Sequence, residues 1–346
     1  MRERPGDKRH PHADARALRL DHAVAAIRRR WGDRALRCAA DLLASPPSLS
    51  PHAVLSTGSL GLDLLTGGLP RGRLTEIAGQ DGSGVEMLGQ TALARAQEAG
   101  GIILLVDAGM PLDPAALAAA GIDHDRLLLA CPTTALDAWS IVEAVCRSDS
   151  VDLLLVSLLD LTNAPGATPA VLRRGLTRVA AALRGRASAV LALSTPLSPP
   201  SLPAGPPEAV PTIGGPLIAQ TAALRILLFP ESPRLTPYGT VAALAARAAV
   251  VKQHGLPRGL VLPLEFTESG VHRSLEAVTL GLSTGVLTSS PLGLAQGDQP
   301  LGRTALRAAA LLDGRPALRD DLEHHIRTAW TRSHAHPDVP IQIGVA

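Results

Sequence analysis

The chain has 346 residues, enough for one large domain and a smaller one. Hydrophobic residues make up 46% of it and aromatic residues only 2%, so the core must consist of Leu, Ala and Val, which favours an α/β protein. The net charge is +2, no apolar run reaches the ~18 residues that span a bilayer, and the first residues lack an apolar signal core; we expect a cytoplasmic protein without membrane contact.

The beginning of the chain is basic. Residues 1–19 are predicted to be a disordered leader, and residues 20–50 a helix together with a Pro/Ser-rich linker. Between Met1 and Arg37 there are eleven Lys/Arg residues and five Asp/Glu residues. This excess of positive charge indicates either an arm that contacts nucleic acid or an acidic partner, or a solvated helix.

Residues 51–274 alternate between short apolar runs and alanine-rich helical segments. Continuous apolar strands that alternate with helices are typical of a parallel sheet buried on both faces. Residues 275–332 contain short helical segments and are predicted to form a small domain, with a tail at 333–346. The six predicted strands of the core are "RLTEIAG", "GIILLVDA", "RLLLAC", "VDLLLVS", "AVLALST" and "LRILLF".

A glycine-rich stretch, "GQDGSGVE", follows the first of these strands. Gly79 and Gly84 have the spacing of a phosphate-binding loop, G-x-x-x-x-G-K-[ST], in which backbone N–H groups and the lysine hold phosphates and the hydroxyl binds Mg²⁺. Here the lysine position is Val85, which has no charge, and the hydroxyl position is Glu86, which repels phosphate. We therefore expect only a vestigial nucleotide site, formed by Gly79, Gln80, Asp81, Gly82, Ser83, Gly84, Val85 and Glu86.

Several collinear segments between about Leu20 and Arg332 resemble the RecA recombinase family. They include "LSTGSLGLDLLTGGLPRGRLTEIAGQDGSG", "AQEAGGIILLVDAGMPLDPAALAAAGID", "SDSVDLLLVSLLDL" and "TIGGPLIAQTAALRILL". The resemblance implies a RecA-like P-loop core with a mainly parallel central sheet flanked by helices. It also implies that the N-terminal helix within residues 20–50 packs on a neighbouring protomer. An ATPase site at a subunit interface, two DNA-binding loops and a small α+β C-terminal domain are implied as well.

The resemblance also locates the positions that act on ATP in the family, and here they carry other residues. Gly109 stands in place of the glutamate that activates water, Ser157 in place of a metal-binding aspartate, and Thr195 in place of a γ-phosphate-sensing glutamine. Asp160 follows Ser157 by three residues and would compensate only after a shift of strand register. Loss of a general base alone usually costs about 10²–10⁴ in rate. We expect no catalytic residue and no cofactor, with residual ATP binding as the alternative.

Two further parts of the family pattern survive in part. The segment "VVKQH" keeps Lys252 and has His254 where the family has a second lysine directed at the neighbouring subunit's nucleotide. Lys252 either pairs with Glu86 of a neighbouring copy or is solvated. The loops that bind DNA in the family have few basic residues here, so we expect weak binding of single-stranded DNA at most. The candidate residues are Arg173, Arg174, Thr212, Gly214 and Gly215.

The remaining candidate ligands do not form a pattern typical of a metal site. His324 and His325 are adjacent and therefore point to different faces of a helix. Cys38, Cys131 and Cys146 are far apart and are expected to be buried. The sequence predicts no metal.

The predicted function is that of a non-catalytic RecA-like accessory protein or scaffold in DNA recombination, repair or damage tolerance, including the SOS response. Its expected partners are proteins of the recombination or translesion machinery, including RecA itself. The chain also resembles ImuA-type accessory proteins, although those usually lack the small C-terminal domain. The alternatives are an active DNA-dependent ATPase and strand-exchange protein with an atypical site, and a subunit that caps RecA filaments.

Overall fold

The computed structural model describes residues 22–26, 29–30, 54–109, 113–197, 210–236, 241–253 and 260–333. The chain divides into two compact units, residues 1–51 and 52–346. In the first unit the described residues are helical, as the sequence predicts for that stretch. The predicted leader, the Pro/Ser-rich linker and the residues after Ser333 lie outside the described residues.

The second unit is built on a mainly parallel sheet of ten strands. Six parallel strands lie side by side in the order β5-β4-β6-β7-β3-β8, and they coincide with the six apolar runs. Their bounds are β3 Leu74–Gly79, β4 Ile103–Val106, β5 Leu127–Ala130, β6 Leu153–Ser157, β7 Ala189–Ser194 and β8 Leu224–Pro230. The prediction of an α/β fold with a parallel core is therefore confirmed.

Antiparallel strands extend this sheet beyond β8. The longest of them has the alanine-rich sequence "VAALAARAAVVK", to which sequence patterns assigned no element. It lies between two other strands, where small side chains pack closely, so tertiary context outweighs the helical preference of alanine. The added strands are β9 Arg234–Leu235, β10 Val241–Lys252, β11 Leu260–Thr267 and β12 Gly270–Val271; the short strands β1 Val54–Leu55 and β2 Leu69–Pro70 pair separately.

Helices cover both faces of the sheet because successive strand residues point to opposite sides. Ile103 and Leu105 of β4 pack in one hydrophobic cluster, and Leu104 and Val106 pack in the other. The first cluster is covered by α1 Leu60–Thr66, α2 Val85–Glu98 and α3 Pro114–Ala119. The second is covered by α4 Ala135–Ser148, α5 Leu158–Asn163, α6 Pro169–Ala182 and α7 Gly215–Thr221.

The C-terminal part combines helices with a small antiparallel sheet around its own hydrophobic cluster. Its elements are α8 Arg273–Ser283, β13 Thr288–Ser290, β14 Gly293–Gln296, β15 Gln299–Gly302, α9 Ala305–Asp313 and α10 Pro316–Ser333. Leu60 of α1 also belongs to this cluster, so the part is packed against the core. The predicted domain boundary at residue 275 falls inside α8.

Three chemical expectations can be compared with this fold. Cys146 is buried as expected, but Cys131 is exposed, because it follows the edge strand β5 and has no covering strand. No helix among the described residues is long and apolar enough to cross a membrane. The same residues contain no cluster of three or more potential metal ligands.

Candidate functional site

The glycine-rich loop connects β3 to α2 at the carboxyl end of the central strand. Gly82 and Gly84 have φ angles of 77° and 82°, a backbone region that glycine enters without strain. Helix α2 begins at Val85, and its N-cap residue Gly84 supplies no side-chain hydrogen bond. The loop therefore has the backbone shape of a phosphate-binding loop with a helix N-terminus that could attract an anion.

Two side chains of the loop, those of Ser83 and Val85, lie against its first glycine. A Cβ atom at Gly79 would overlap Ser83 Oγ and would lie 2.6 Å from Val85 Cγ2, so both side chains turn back onto the first glycine. Ser83 is fully buried, and its hydroxyl has no hydrogen-bond partner within the described residues. Val85 packs against the main hydrophobic cluster, whereas Glu86 is exposed. The loop thus contains a methyl group where a cation is expected and an exposed carboxylate beside it.

The second glycine of the pattern has a packing role. Phe266, from β11, is buried, and a Cβ atom at Gly84 would lie 2.5 Å from its ring atom Cδ2. No side chain fits between the loop and this ring, so only glycine is accommodated at position 84. The packing of the loop and its positive φ angles suffice to require this glycine, whether or not a nucleotide binds.

Two carboxylates meet beside the loop, at the carboxyl ends of β4 and β6. Asp107 follows β4, and Asp160 lies in the first turn of α5, where its N–H donates to Ser157 Oγ at 3.3 Å. A Cβ atom at Gly109 would lie 3.9 Å from Asp160 Cβ. Burial, and to a smaller extent Asp107, raises the pKa of Asp160, while the Ser157 hydrogen bond lowers it. The Cβ atom and the carbonyl oxygen of Asp160 therefore lie beside Gly109.

The loop between β7 and α7 corresponds to the second DNA-binding loop of the family pattern. The two ends of this loop pair with each other and form its base, which is connected to the middle of β3. Thr195 accepts a hydrogen bond from Ile213 N–H, and the next residue, Pro196, bridges to Thr212. The Thr212 hydroxyl donates to Glu76 Oε1 at 2.6 Å, and Arg225 Nε donates to Glu76 Oε2 at 2.5 Å. Glu76 and Arg225 are almost completely buried. The Thr212 hydrogen bond thus joins the loop to the central strand, at a buried carboxylate whose charge is balanced by Arg225 of β8.

Most of the residues predicted to bind DNA lie around this base. Thr212 is buried, and its hydroxyl faces Glu76 in this structure. Gly214 is also buried, and a Cβ atom there would lie only 2.7 Å from Ile218 Cβ. Gly215 begins α7 and has a φ angle of 64°. Arg173 and Arg174 are exposed on α6. DNA binding by these residues stays a prediction.

Lys252, at the end of β10, contacts the carboxyl end of α7. Its Nζ atom donates to the carbonyl oxygens of Ala219 and Gln220 at 2.8 and 2.9 Å. Burial, followed by the charge of Arg225, lowers the pKa of Lys252. The amine therefore caps a helix within its own chain, as cations favour helix C-termini. His254 lies outside the described residues.

Comparisons with known proteins agree with this geometry. The RecA N-terminal domain family matches residues 18–165. The chain is 29% identical to Protein RecA of Cereibacter sphaeroides over 330 residues, which cover 91% of this chain and 94% of that protein. It is 28% identical to Protein RecA of Thermus aquaticus, over 88% of this chain and 92% of that protein. The chain is therefore similar to RecA proteins over 88% to 91% of its length.

Compared with the pattern of a phosphate-binding loop, the loop of this chain keeps the glycine spacing and differs in its side chains. The substitutions at Val85 and Glu86 are visible in the sequence, but the contact between Phe266 and Gly84 is not, because 182 positions separate the two residues. The approach of Asp160 to Gly109 is likewise visible only in the structure. A carboxylate one helical turn beyond the end of a strand is the sequence signal that could have indicated it.

Proposed function

We propose that this RecA-family protein is a non-catalytic accessory protein or scaffold in DNA recombination, repair or damage tolerance. One observation carries the proposal: Val85 takes the position of the phosphate-binding lysine, with its side chain against Gly79, and the carboxylate of Glu86 follows it. The family relationship supports the area of biology, since the matched relatives bear the name RecA. The presence of Val85 and Glu86, in place of the lysine and the hydroxyl residue, supports the loss of ATP hydrolysis.

The size of the expected loss follows from electrostatics. Removal of one buried charged partner costs about 2–5 kcal/mol, or roughly thirty-fold to several thousand-fold in affinity. Glu86 adds a negative charge in the first turn of α2, where a phosphate would otherwise lie. A carboxylate and a phosphate compete for the same positive helix end. We therefore expect weak binding of ATP and magnesium and no turnover.

A second function has one specific observation in its favour. The position of Asp160 beside Gly109 would allow it to activate a water molecule in place of the family glutamate. A raised carboxylate pKa brings such a base closer to neutral pH. This alternative is an active DNA-dependent ATPase with a relocated carboxylate.

ATP hydrolysis measured with and without single-stranded DNA separates the two functions. The accessory protein shows no DNA-stimulated turnover. The alternative requires turnover that Asp160→Asn abolishes and that Asp125→Asn, a change at an exposed carboxylate elsewhere, leaves intact. Turnover with that pattern would overturn our proposal.

The double substitution Val85→Lys with Glu86→Thr tests the role of the loop directly. It restores the cation and the hydroxyl, so we expect ATP affinity to rise by about thirty-fold or more. Hydrolysis stays absent, because Gly109 and Ser157 are unchanged. Fluorescence titration with a labelled ATP analogue measures the affinity. Equal affinity of the natural chain and the variant for the ATP analogue would show that Val85 and Glu86 do not limit ATP binding.

The partners that we propose are proteins of the recombination or translesion machinery, including RecA itself. Loss of an intrinsic ATPase leaves protein surfaces as the means of action. Co-sedimentation with RecA filaments on single-stranded DNA tests this partner, and binding to DNA alone is expected to be weak. The double substitution Arg173→Gln with Arg174→Gln should reduce any residual DNA binding, since both side chains are exposed.

A further inference from the structure

A second concave site lies at the opposite end of β3 from the phosphate-binding loop. It is a cleft of about 310 Å³ between the start of β3, the end of α6 and the end of α7. Strand β3 runs from Leu74 at the cleft to Gly79 at the loop, five steps of ~3.3 Å, or about 17 Å. The volume falls within the range of small-molecule sites, which begin at about 300 Å³. The cleft is therefore separate from the nucleotide site and large enough for a ligand.

The charge of the cleft is positive. Arg73 and Arg184 both line it, both are exposed, and neither guanidinium has an ion-pair partner within the described residues. Gln220 and Thr221 add polar side chains, and no lining residue is acidic. Two guanidinium groups that line one recess without carboxylates are suited to a planar or tetrahedral oxyanion.

Two helices end at the cleft, and their carbonyl groups would by themselves disfavour an anion. Three of these carbonyl groups already accept hydrogen bonds. The Lys252 amine occupies the carbonyl oxygens of Ala219 and Gln220 at the end of α7. At the end of α6, the carbonyl oxygen of Leu183 accepts the N–H of Arg186 at 3.0 Å. Lys252 also adds a third positive charge next to the recess.

We propose that this cleft binds a phosphate monoester, supplied either by a free nucleotide or by the 5′ end of a DNA strand. A monoester presents three terminal oxygens and enters a recess end-on, whereas an internal phosphodiester presents only two and lies along a surface. Arg73 and Arg184 would hold the oxygens from two sides, and the side-chain amide of Gln220 would donate the remaining hydrogen bond. The proposal does not depend on the state of the phosphate-binding loop.

Fluorescence anisotropy at low ionic strength tests the proposal on the full-length protein. The probes are one labelled oligonucleotide with a 5′-phosphate and the same oligonucleotide with a 5′-hydroxyl. We expect the phosphorylated strand to bind at least about ten-fold more tightly, because charge-assisted hydrogen bonds to arginine are worth about 1.5–3 kcal/mol. Displacement by AMP at comparable concentration assigns the site to free monoesters. Displacement only by phosphorylated strands assigns it to DNA ends.

Matched variants locate the binding. The double substitution Arg73→Gln with Arg184→Gln should abolish the preference for the 5′-phosphate. Arg303→Gln with Arg307→Gln removes the same charge from an exposed surface of the C-terminal part and should keep the preference. Circular dichroism and unfolding curves establish that both variants fold. Equal binding of the two oligonucleotides, or an equal loss of preference in both double variants, would overturn the proposal.

Discussion

The two halves of β3 differ in what holds them in place. At the carboxyl end, the loop is stabilised by packing: Val85 and Ser83 lie on Gly79, and Phe266 covers Gly84. In the middle of the strand and at its amino end, charge is concentrated, in the buried pair of Glu76 and Arg225 and in the arginines of the cleft. The comparison teaches that packing alone can require the glycines of such a loop, even where Val85 stands in place of the phosphate-binding lysine.

The buried pair gives the largest expected effect. Arg225→Met leaves the Glu76 carboxylate without its cation in a fully buried position, and breaking such a pair costs about 3–5 kcal/mol. Urea unfolding measures the loss in free energy of unfolding. Adding Glu76→Gln to this variant removes the uncompensated charge and keeps an acceptor for Thr212, so part of the loss should be recovered. A loss below about 1 kcal/mol for the single variant would show that the pair does not stabilise this half of the strand.

A second buried carboxylate extends the comparison to the contact between α8 and α1. Glu276 accepts hydrogen bonds from Ser59 Oγ, Leu60 N–H and Gly61 N–H. Its burial, opposed by these hydrogen bonds and reinforced by Asp63, raises its pKa from 4.5 to about 7. Burial also raises the pKa of Asp63. The charge of Arg327 of α10, whose guanidinium nitrogen lies 3.9 Å from Asp63 Oδ2, partly offsets this rise.

The sign of the pH dependence follows from this shift. Between pH 4.5 and about 7 the folded chain keeps the proton of Glu276 and the unfolded chain loses it, so stability falls as the pH rises. The shift corresponds to about 3 kcal/mol over that window. Chemical unfolding at several pH values measures it. Glu276→Gln should flatten the dependence, whereas the exposed Glu268→Gln should not; parallel curves for all three proteins would contradict the assignment.

The sequence predicts the parallel half of the fold well and the contacts of the site poorly. Apolar runs such as "GIILLVDA" predict strands because both faces of a parallel sheet are buried. The strand β10 escapes the same reasoning, since its alanines carry no strand pattern. The pair of Glu76 and Arg225 joins residues 149 positions apart, and no local pattern indicates such a contact. The sequence shows that Gly109 lacks the carboxylate found at this position in the family. The proximity of Asp160 to Gly109 depends on the turn into α5 and cannot be read from the sequence.

The packed end of the strand gives a smaller effect. Gly84→Ala places a methyl group against Phe266 at a φ angle of 82°, whereas Gly82→Ala meets a similar φ angle of 77° with no atom within 4 Å. Both variants bear the backbone strain of about 1–3 kcal/mol, and Gly84→Ala should lose about 1–3 kcal/mol more through overpacking. The difference in unfolding free energy isolates the packing term. Equal losses would mean that the ring moves aside, and that the loop is not held by Phe266.

Lys252 gives the smallest effect, because its amine is only partly buried. Lys252→Met removes two hydrogen bonds to the end of α7 and one cation from a helix C-terminus, which together are worth about 1 kcal/mol at such a site. Arg303→Met, at an exposed position, is the control for loss of charge. Sedimentation velocity of Lys252→Glu tests the other interpretation, in which Lys252 pairs with Glu86 of a second copy. If the charge reversal lowers stability and leaves self-association unchanged, Lys252 acts within its own chain, and the charged half of β3 supports the fold rather than an assembly.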